Sequence, residues 1–169
     1  MRDSFRQTVV DMMQLIRVIK AGADLNGDGI NDLNGNRVYF VGMSLGAMIG
    51  VLLHAVEPDL RAAVLSDGAG TLLDQARWAR SASALGLMSA HKPSLLNAGN
   101  SFEASWALRY QDVKLIEAPG AIAVQEWFER TEWVSLPGDQ LAYAPHLCSS
   151  TLPGVPIKPV LFQMEWADR

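Results

Sequence analysis

Gly42-Met43-Ser44-Leu45-Gly46 is the segment of this chain whose residue types and spacing suit covalent chemistry. It has the form G-x-S-x-G, in which a serine hydroxyl is presented on a sharp turn from a strand into a helix. The motif is short enough to arise by chance, so its flanks decide its weight. Arg37-Val38-Tyr39-Phe40-Val41 comes directly before it, a β-branched and aromatic run that reads as a strand buried on both faces. Leu45 to Ala55 follows as a mostly apolar helix that ends before Pro58. In that setting Ser44 is the expected nucleophile, held in a strained backbone conformation. Glycine is expected at both 42 and 46, because a side chain at either would collide with the neighbouring helix or strand. The N–H of Leu45, at the start of the helix, is the expected oxyanion donor. One such donor contributes roughly 3–4 kcal/mol of transition-state stabilisation. The plainer alternative is a serine that only caps its helix. A phosphate loop is excluded, because no Gly-Lys-Ser/Thr follows.

A serine hydroxyl needs a base, and the base needs an acid to orient it. With this kind of turn the chain order is serine, then Asp or Glu, then histidine. Asp168 lies just beyond a strand that ends near Met164 and is the first candidate for the acid. Asp67, after the preceding strand, is the alternative, and Glu165 is a weaker third. The plainer reading of Asp168 is a solvated loop carboxylate. The base is harder to find. His54 lies on the helix after the turn, about ten residues from Ser44 and so roughly 15 Å away at 1.5 Å per residue. It reads as a helix-end or core residue. His91 and His146 both precede Asp168, and either would reach Ser44 only by breaking the usual order. Cys148 is the single cysteine, so neither an internal disulfide nor a thiolate metal cluster can form. It reads as a small, partly buried residue, not an activated thiol.

A second cluster precedes the strand. Asp24, Asn26, Asp28, Ile30 and Asp32 fall in the pattern D-x-[DN]-x-[DN]-G, with an aspartate at the ninth position. Alternating oxygen ligands of this kind wrap a hard cation, and Gly29 permits the sharp turn. The twelfth position is Gly35 and not a bidentate glutamate, and a strand follows in place of a second helix, so the loop is not an EF-hand. Two readings remain open: a looser structural calcium loop that pins the entry to the Ser44 strand, or an Asx-rich turn without an ion. No other cofactor is called for.

The elements that must position these residues are legible in outline. Val9, Met12, Met13, Ile16 and Ile19 recur at helical spacing with polar residues between them, which predicts an amphipathic helix over about residues 4–21, ended by Gly22. Residues 37–67 read strand, turn, helix, strand, the last strand being Ala62-Ala63-Val64-Leu65. Two parallel strands joined by a packed helix form a right-handed βαβ unit. Pro159 to Met164 reads as a third parallel strand. Residues 71–157 are too long for a simple crossover. Helical stretches at about Leu72 to Leu87, Ser105 to Lys114 and Ala121 to Thr131 read as an inserted cap over a site, the plainer alternative being a crossover helix with long surface loops. The expected organisation is an α/β fold: residues 1–70 as core, 71–157 as helical cap and 158–169 as core strand and acid loop.

Bulk composition narrows the function. The chain has 169 residues, 49% hydrophobic and 19% charged, which suits a globular core. A net charge of −4 argues against a nucleic-acid partner. No apolar stretch is long enough to span a bilayer. The N-terminal MRDSFRQ shows no apolar signal core.

Several blocks resemble a known family. Ser4-Phe5-Arg6-Gln7-Thr8-Val9-Val10-Asp11, the acidic loop, the GMSLG turn, Val56-Glu57-Pro58, Arg61 to Leu65, Pro119-Gly120-Ala121, Gln125-Glu126, Phe128 to Trp133, Ala142 to Leu147 and Lys158 to Gln163 are similar to bacterial secreted lipase/esterase-like α/β-hydrolases, sometimes labelled virulence-factor lipases. The resemblance covers nearly the whole chain. It implies a partial α/β-hydrolase fold with a nucleophile elbow, Ser44 as nucleophile and Asp168 as the acid of a G-x-D element, here with Ala167 where glycine often stands. It also implies a secreted or periplasmic location. The family's histidine would fall beyond Arg169, and its early strands, with the second oxyanion donor, before Met1. On that resemblance residues 1–169 are expected to be an internal piece of a longer hydrolase. The expected activity is hydrolysis of a small-molecule or lipid carboxylic ester through an acyl-enzyme on Ser44, with little turnover by this chain alone. The alternative is a truncated, non-catalytic domain acting as a binding or structural module. Exposed edges of an open parallel sheet predict self-association.

Overall fold

The computed structural model describes residues 2–68, 70–71 and 121–164. The chain divides into two compact units, one of Met1–Ala69 with Leu136–Asp168, the other of Gly70–Ser135 with Arg169. The first unit is built on a parallel sheet. Strand β1 (Val38–Met43) leads into helix α2 (Leu45–Val56) and returns through β2 (Leu60–Ser66), with β3 (Val160–Gln163) on the far side. The order is β1-β2-β3, parallel throughout, with Met43 opposite Ser66 and Ser66 opposite Gln163. Helix α1 (Arg2–Ala21) precedes them and ends at Gly22, whose φ of +106° is open to glycine at little cost. The βαβ unit, the third parallel strand and the first helix all follow the sequence pattern.

Helix α2 is the middle of this unit. Residues 47–55 are all buried, as expected of a helix that is apolar all round. One side lies on the sheet. A Cβ at Gly50 would stand 2.5 Å from Leu65 Cδ2 and closer still to Phe40, so the absent side chain lets the helix and strands approach. On its other side α1 contributes Val9 and Ile16, with Phe5, Met12 and Met13 packed against the same core. Helix α4 (Gln140–Tyr143) and the 3-10 turns on either side of it, Leu136–Gly138 and Ala144–His146, complete the layer.

The expectation that β1 is buried on both faces is corrected here. Its exposure alternates, with Tyr39, Val41 and Met43 58%, 77% and 71% exposed. Through the strand register Val64 and Leu161 share that face, and no described element packs on it. An apolar strand run records how apolar its residues are, not whether a second layer covers them.

In the second unit, α3 (Ala121–Ser135) runs four residues beyond its expected end. Trp127 and Phe128 meet edge to face at 5.3 Å, and Trp133 is exposed. The cap was expected to run to residue 157, but residues 136–157 belong to the first unit. The helical stretches expected at 72–87 and 105–114 lie outside the described residues. Among the described residues no helix is long and apolar enough to cross a membrane.

The C-terminal end of α2 holds a buried polar cluster. Lys158 is 5% exposed, and its Nζ donates to the carbonyls of His54 and Glu57, both at 2.6 Å. Glu57 is fully buried, accepting from Arg17 of α1 at 3.2 Å and from the Asp59 N–H at 3.0 Å. Nearby, Lys20 pairs with Asp59. His54 is also buried, with Nε2 3.3 Å from the Pro159 carbonyl and Nδ1 without a hydrogen-bond partner. Burial, then the Lys158 charge, push the His54 imidazole below its usual range, while the Pro159 carbonyl pulls the other way. His54 is therefore neutral in the fold when the unfolded chain, with an ordinary pKa near ~6.5, begins to take a proton. Above about pH 6.5 the group has no effect. As pH falls from there towards the folded pKa, stability is lost, and below both values the loss is constant. Thermal melts between pH 8 and pH 5 should show a larger drop for the wild type than for His54→Gln. Parallel drops would refute the assignment.

Candidate active site

Strand β1 delivers Ser44 at its carboxyl end, on a strained turn into α2. Ser44 has φ 52° and ψ −120°, a left-handed conformation that costs a non-glycine residue about 1–3 kcal/mol. The surroundings hold it there. Its N–H donates to the Ser66 carbonyl at 2.9 Å, and its own carbonyl accepts from Ala47 and Met48 at 2.9 and 3.2 Å. The side chain makes no capping hydrogen bond, so the reading of Ser44 as a plain helix cap does not hold. Its residue is exposed, leaving the hydroxyl at the surface of the strand ends.

The two glycines of the motif turn out unequal. A Cβ on Gly42 would stand 2.5 Å from the Gly46 carbonyl oxygen and 2.6 Å from its carbon. A Cβ on Gly46 would meet no described atom within 4 Å. Among the described residues the expected collision at 46 is absent: the Gly46 carbonyl leans on Gly42, while the Cβ position of Gly46 meets no described neighbour. Leu45 and Gly46 are the first two residues of α2, where helix geometry leaves N–H groups without an acceptor inside the helix. Those groups and the helix dipole favour negative charge beside Ser44.

Asp67 is the carboxylate the described structure brings to this place. Met43 pairs with Ser66, so Ser44 and Asp67 leave the sheet side by side from neighbouring strands, which in a sheet are about 4.8 Å apart. Both have φ of 52°, and they are the two non-glycine residues with positive φ among those described. The Asp67 N–H donates to the Gln163 carbonyl at 2.8 Å, and the Ser66 hydroxyl to Gln163 Oε1 at 2.8 Å. The sequence hints at this turn only through the Asp-Gly pair after the strand. Asp168, Glu165 and His91 lie outside the described residues.

The described histidines are His54 and His146. His54 is at the opposite end of α2, bonded as above. His146 Nδ1 lies 2.5 Å from the Ser150 carbonyl. Cys148, expected to be partly buried, is exposed, because only its neighbour Leu147 turns inward from that short segment.

The acidic loop closes on itself. Asp24 accepts N–H groups from Gly27, Asp28 and Gly29 at 2.6–3.2 Å, and these hold its carboxyl below the usual range, Gly29 most strongly. Asn26 accepts from Asp28, Asp28 from Ile30, and Asp32 from Leu25. Gly29 has φ +85°, the sharp turn expected of it. The twelfth position, Gly35, is packed on α1: a Cβ there would lie 2.6 Å from Lys20 Cα. It therefore contributes to seating the loop on the helix, not to ligation. Among the described residues no group of three or more His, Cys, Asp or Glu is placed to hold a metal.

Among the described residues the class these observations define is a mixed helix and strand fold with a small, open, three-stranded parallel sheet. No protein-family model, curated protein or solved structure matches the chain.

Proposed function

We propose that the chain carries the nucleophile of a carboxylic-ester hydrolase of the α/β-hydrolase kind. The observation that supports this reading is Ser44 itself: a strained, exposed serine, free of capping duty, at a helix N-terminus and beside Asp67. In the reaction the Ser44 Oγ bonds to the ester carbonyl carbon as its proton passes to a base. The carbonyl electron pair moves onto oxygen, where the Leu45 N–H faces the charge. Collapse breaks the bond to the alcohol, which leaves with the proton, and water later releases the acid from the serine. By the family resemblance the base is a histidine that follows the acid Asp168 in the chain. Asp67, at the next strand tip, is a second carboxylate able to orient an imidazole.

A fluorophosphonate probe, followed by peptide mass mapping, should place one adduct on Ser44 of the wild-type protein and none on Ser44→Ala. Equal labelling of the two would overturn the proposal. A non-catalytic binding or structural module is the second reading, favoured by the burial of His54 at the far end of α2. Turnover of a short p-nitrophenyl ester by these 169 residues, lost in Ser44→Ala, would overturn that one.

A further inference from the structure

A cavity of about 120 Å³ lies next to the elbow helix, lined by Ala47 and Val51 of α2, Leu65 of β2, Phe162 of β3, and Ala144 and Leu147 below. We infer that it is the acyl pocket of the ester and admits a short, uncharged acyl chain of about four carbons. The inference rests on the reading of Ser44 as nucleophile and adds the substrate class.

Position comes first. The cavity sits between α2, the covered face of the sheet and the short helical segment of residues 140–147, and its rim includes Gly68 and Met164 at the carboxyl ends of β2 and β3. Ligands of open parallel sheets enter at that end. Ala47 and Val51 are four residues apart on α2 and so share one stripe, and the Ala47 N–H donates to the Ser44 carbonyl at 2.9 Å. The pocket therefore begins about one turn, roughly 5 Å, from the serine. Gly68 keeps the rim open between them: a Cβ there would stand 3.2 Å from the Ala47 Cβ.

Chemistry comes second. Among the described residues no charged side chain lines the cavity; its polar side chains are Gln140 and Gln163, and the Gln163 Oε1 accepts from the Ser66 hydroxyl. An ionised acyl group would lose hydration there without meeting a charged partner among the described residues. Size sets the limit. An apolar cavity of about 150 Å³ accommodates benzene, so this one suits a slightly smaller group of about four carbons. Leu65, Val51 and Leu147, each under a tenth exposed, form the most deeply buried part of this lining.

The test uses ethyl, butyl and octyl fluorophosphonates on the protein, with labelling rates read by intact mass. Butyl is expected to label Ser44 faster than octyl by about tenfold or more, the discrimination one or a few methylenes give in a tight pocket. Ala144→Trp fills the pocket from an exposed position and should abolish the butyl advantage over ethyl. Val51→Ala enlarges it and should raise the octyl rate relative to butyl. Octyl labelling as fast as butyl, or a rank order unchanged in both variants, overturns the pocket while Ser44 labelling keeps the nucleophile. No labelling of Ser44 by any member overturns the nucleophile, and the pocket with it.

Discussion

Lys158→Ala should destabilise the first unit by about 3–5 kcal/mol, the usual cost of breaking a buried ionic cluster from one side. The lysine ammonium is buried and donates to two carbonyls at 2.6 Å, those of His54 and Glu57. These lie in the final turn of α2 and at its cap, where carbonyls have no acceptor-matching N–H within the helix. Without the lysine they are buried and unpaired. The Glu57 carboxylate would retain Arg17 and the Asp59 N–H but lose a buried positive neighbour. Urea unfolding followed by circular dichroism gives the cost directly. Lys158→Met keeps the apolar stem and should recover only a minor part, because the lost hydrogen bonds dominate. A cost under about 1 kcal/mol, the level of an exposed ion pair, would refute this account. Because Lys158 directly precedes Pro159 and β3, amide exchange at Val160–Gln163 should accelerate more than at β1.

Gly42→Ala and Gly46→Ala should part company sharply, although they are the same change at the two ends of one motif. At Gly42 the new methyl meets the Gly46 backbone at 2.5–2.6 Å, and backbone cannot rotate away. Helix α2 must shift off β1, at about 3 kcal/mol for a forced overpacking of this kind. The shift also moves Ser44, so fluorophosphonate labelling should fall with stability. At Gly46 the methyl meets no described atom and lies within a helix, where alanine is better than glycine by up to ~1 kcal/mol. Gly46→Ala should be neutral or slightly stabilising. Paired denaturation curves decide the matter, and equal losses would show that the turn is not organised around Gly42.

Much of this was legible in the residues. The Val9, Met12, Met13, Ile16 spacing marks α1, and the apolar run before the glycine-serine turn marks β1 and α2, because periodicity and turn chemistry are local properties. Which face of a strand is covered is not local, and Tyr39, Val41 and Met43 look no different in the sequence from residues buried on both sides. The symmetric glycines of the motif suggested symmetric constraints, yet the contact that matters runs from one glycine to the carbonyl of the other. Lys158 gave no signal at all. Its acceptors are backbone carbonyls about a hundred residues earlier, and a lysine before a proline reads as a solvated loop residue. The left-handed φ of Asp67 was equally silent, since only a following glycine hinted at a turn.

The order of the strands bears on how the unit assembles. Pairing Met43 with Ser66 closes a loop of about 23 residues, whereas pairing Ser66 with Gln163 closes one of 97. Loop closure grows as three halves of RT times the logarithm of length, so the second pairing carries about 1.3 kcal/mol more entropy loss. The strand pair that shapes the serine turn is thus the inexpensive contact for the chain to find, and the strand leading towards Asp168 is the late arrival. Lys158, buried at the threshold of that strand, fastens the contact with the greater entropic barrier.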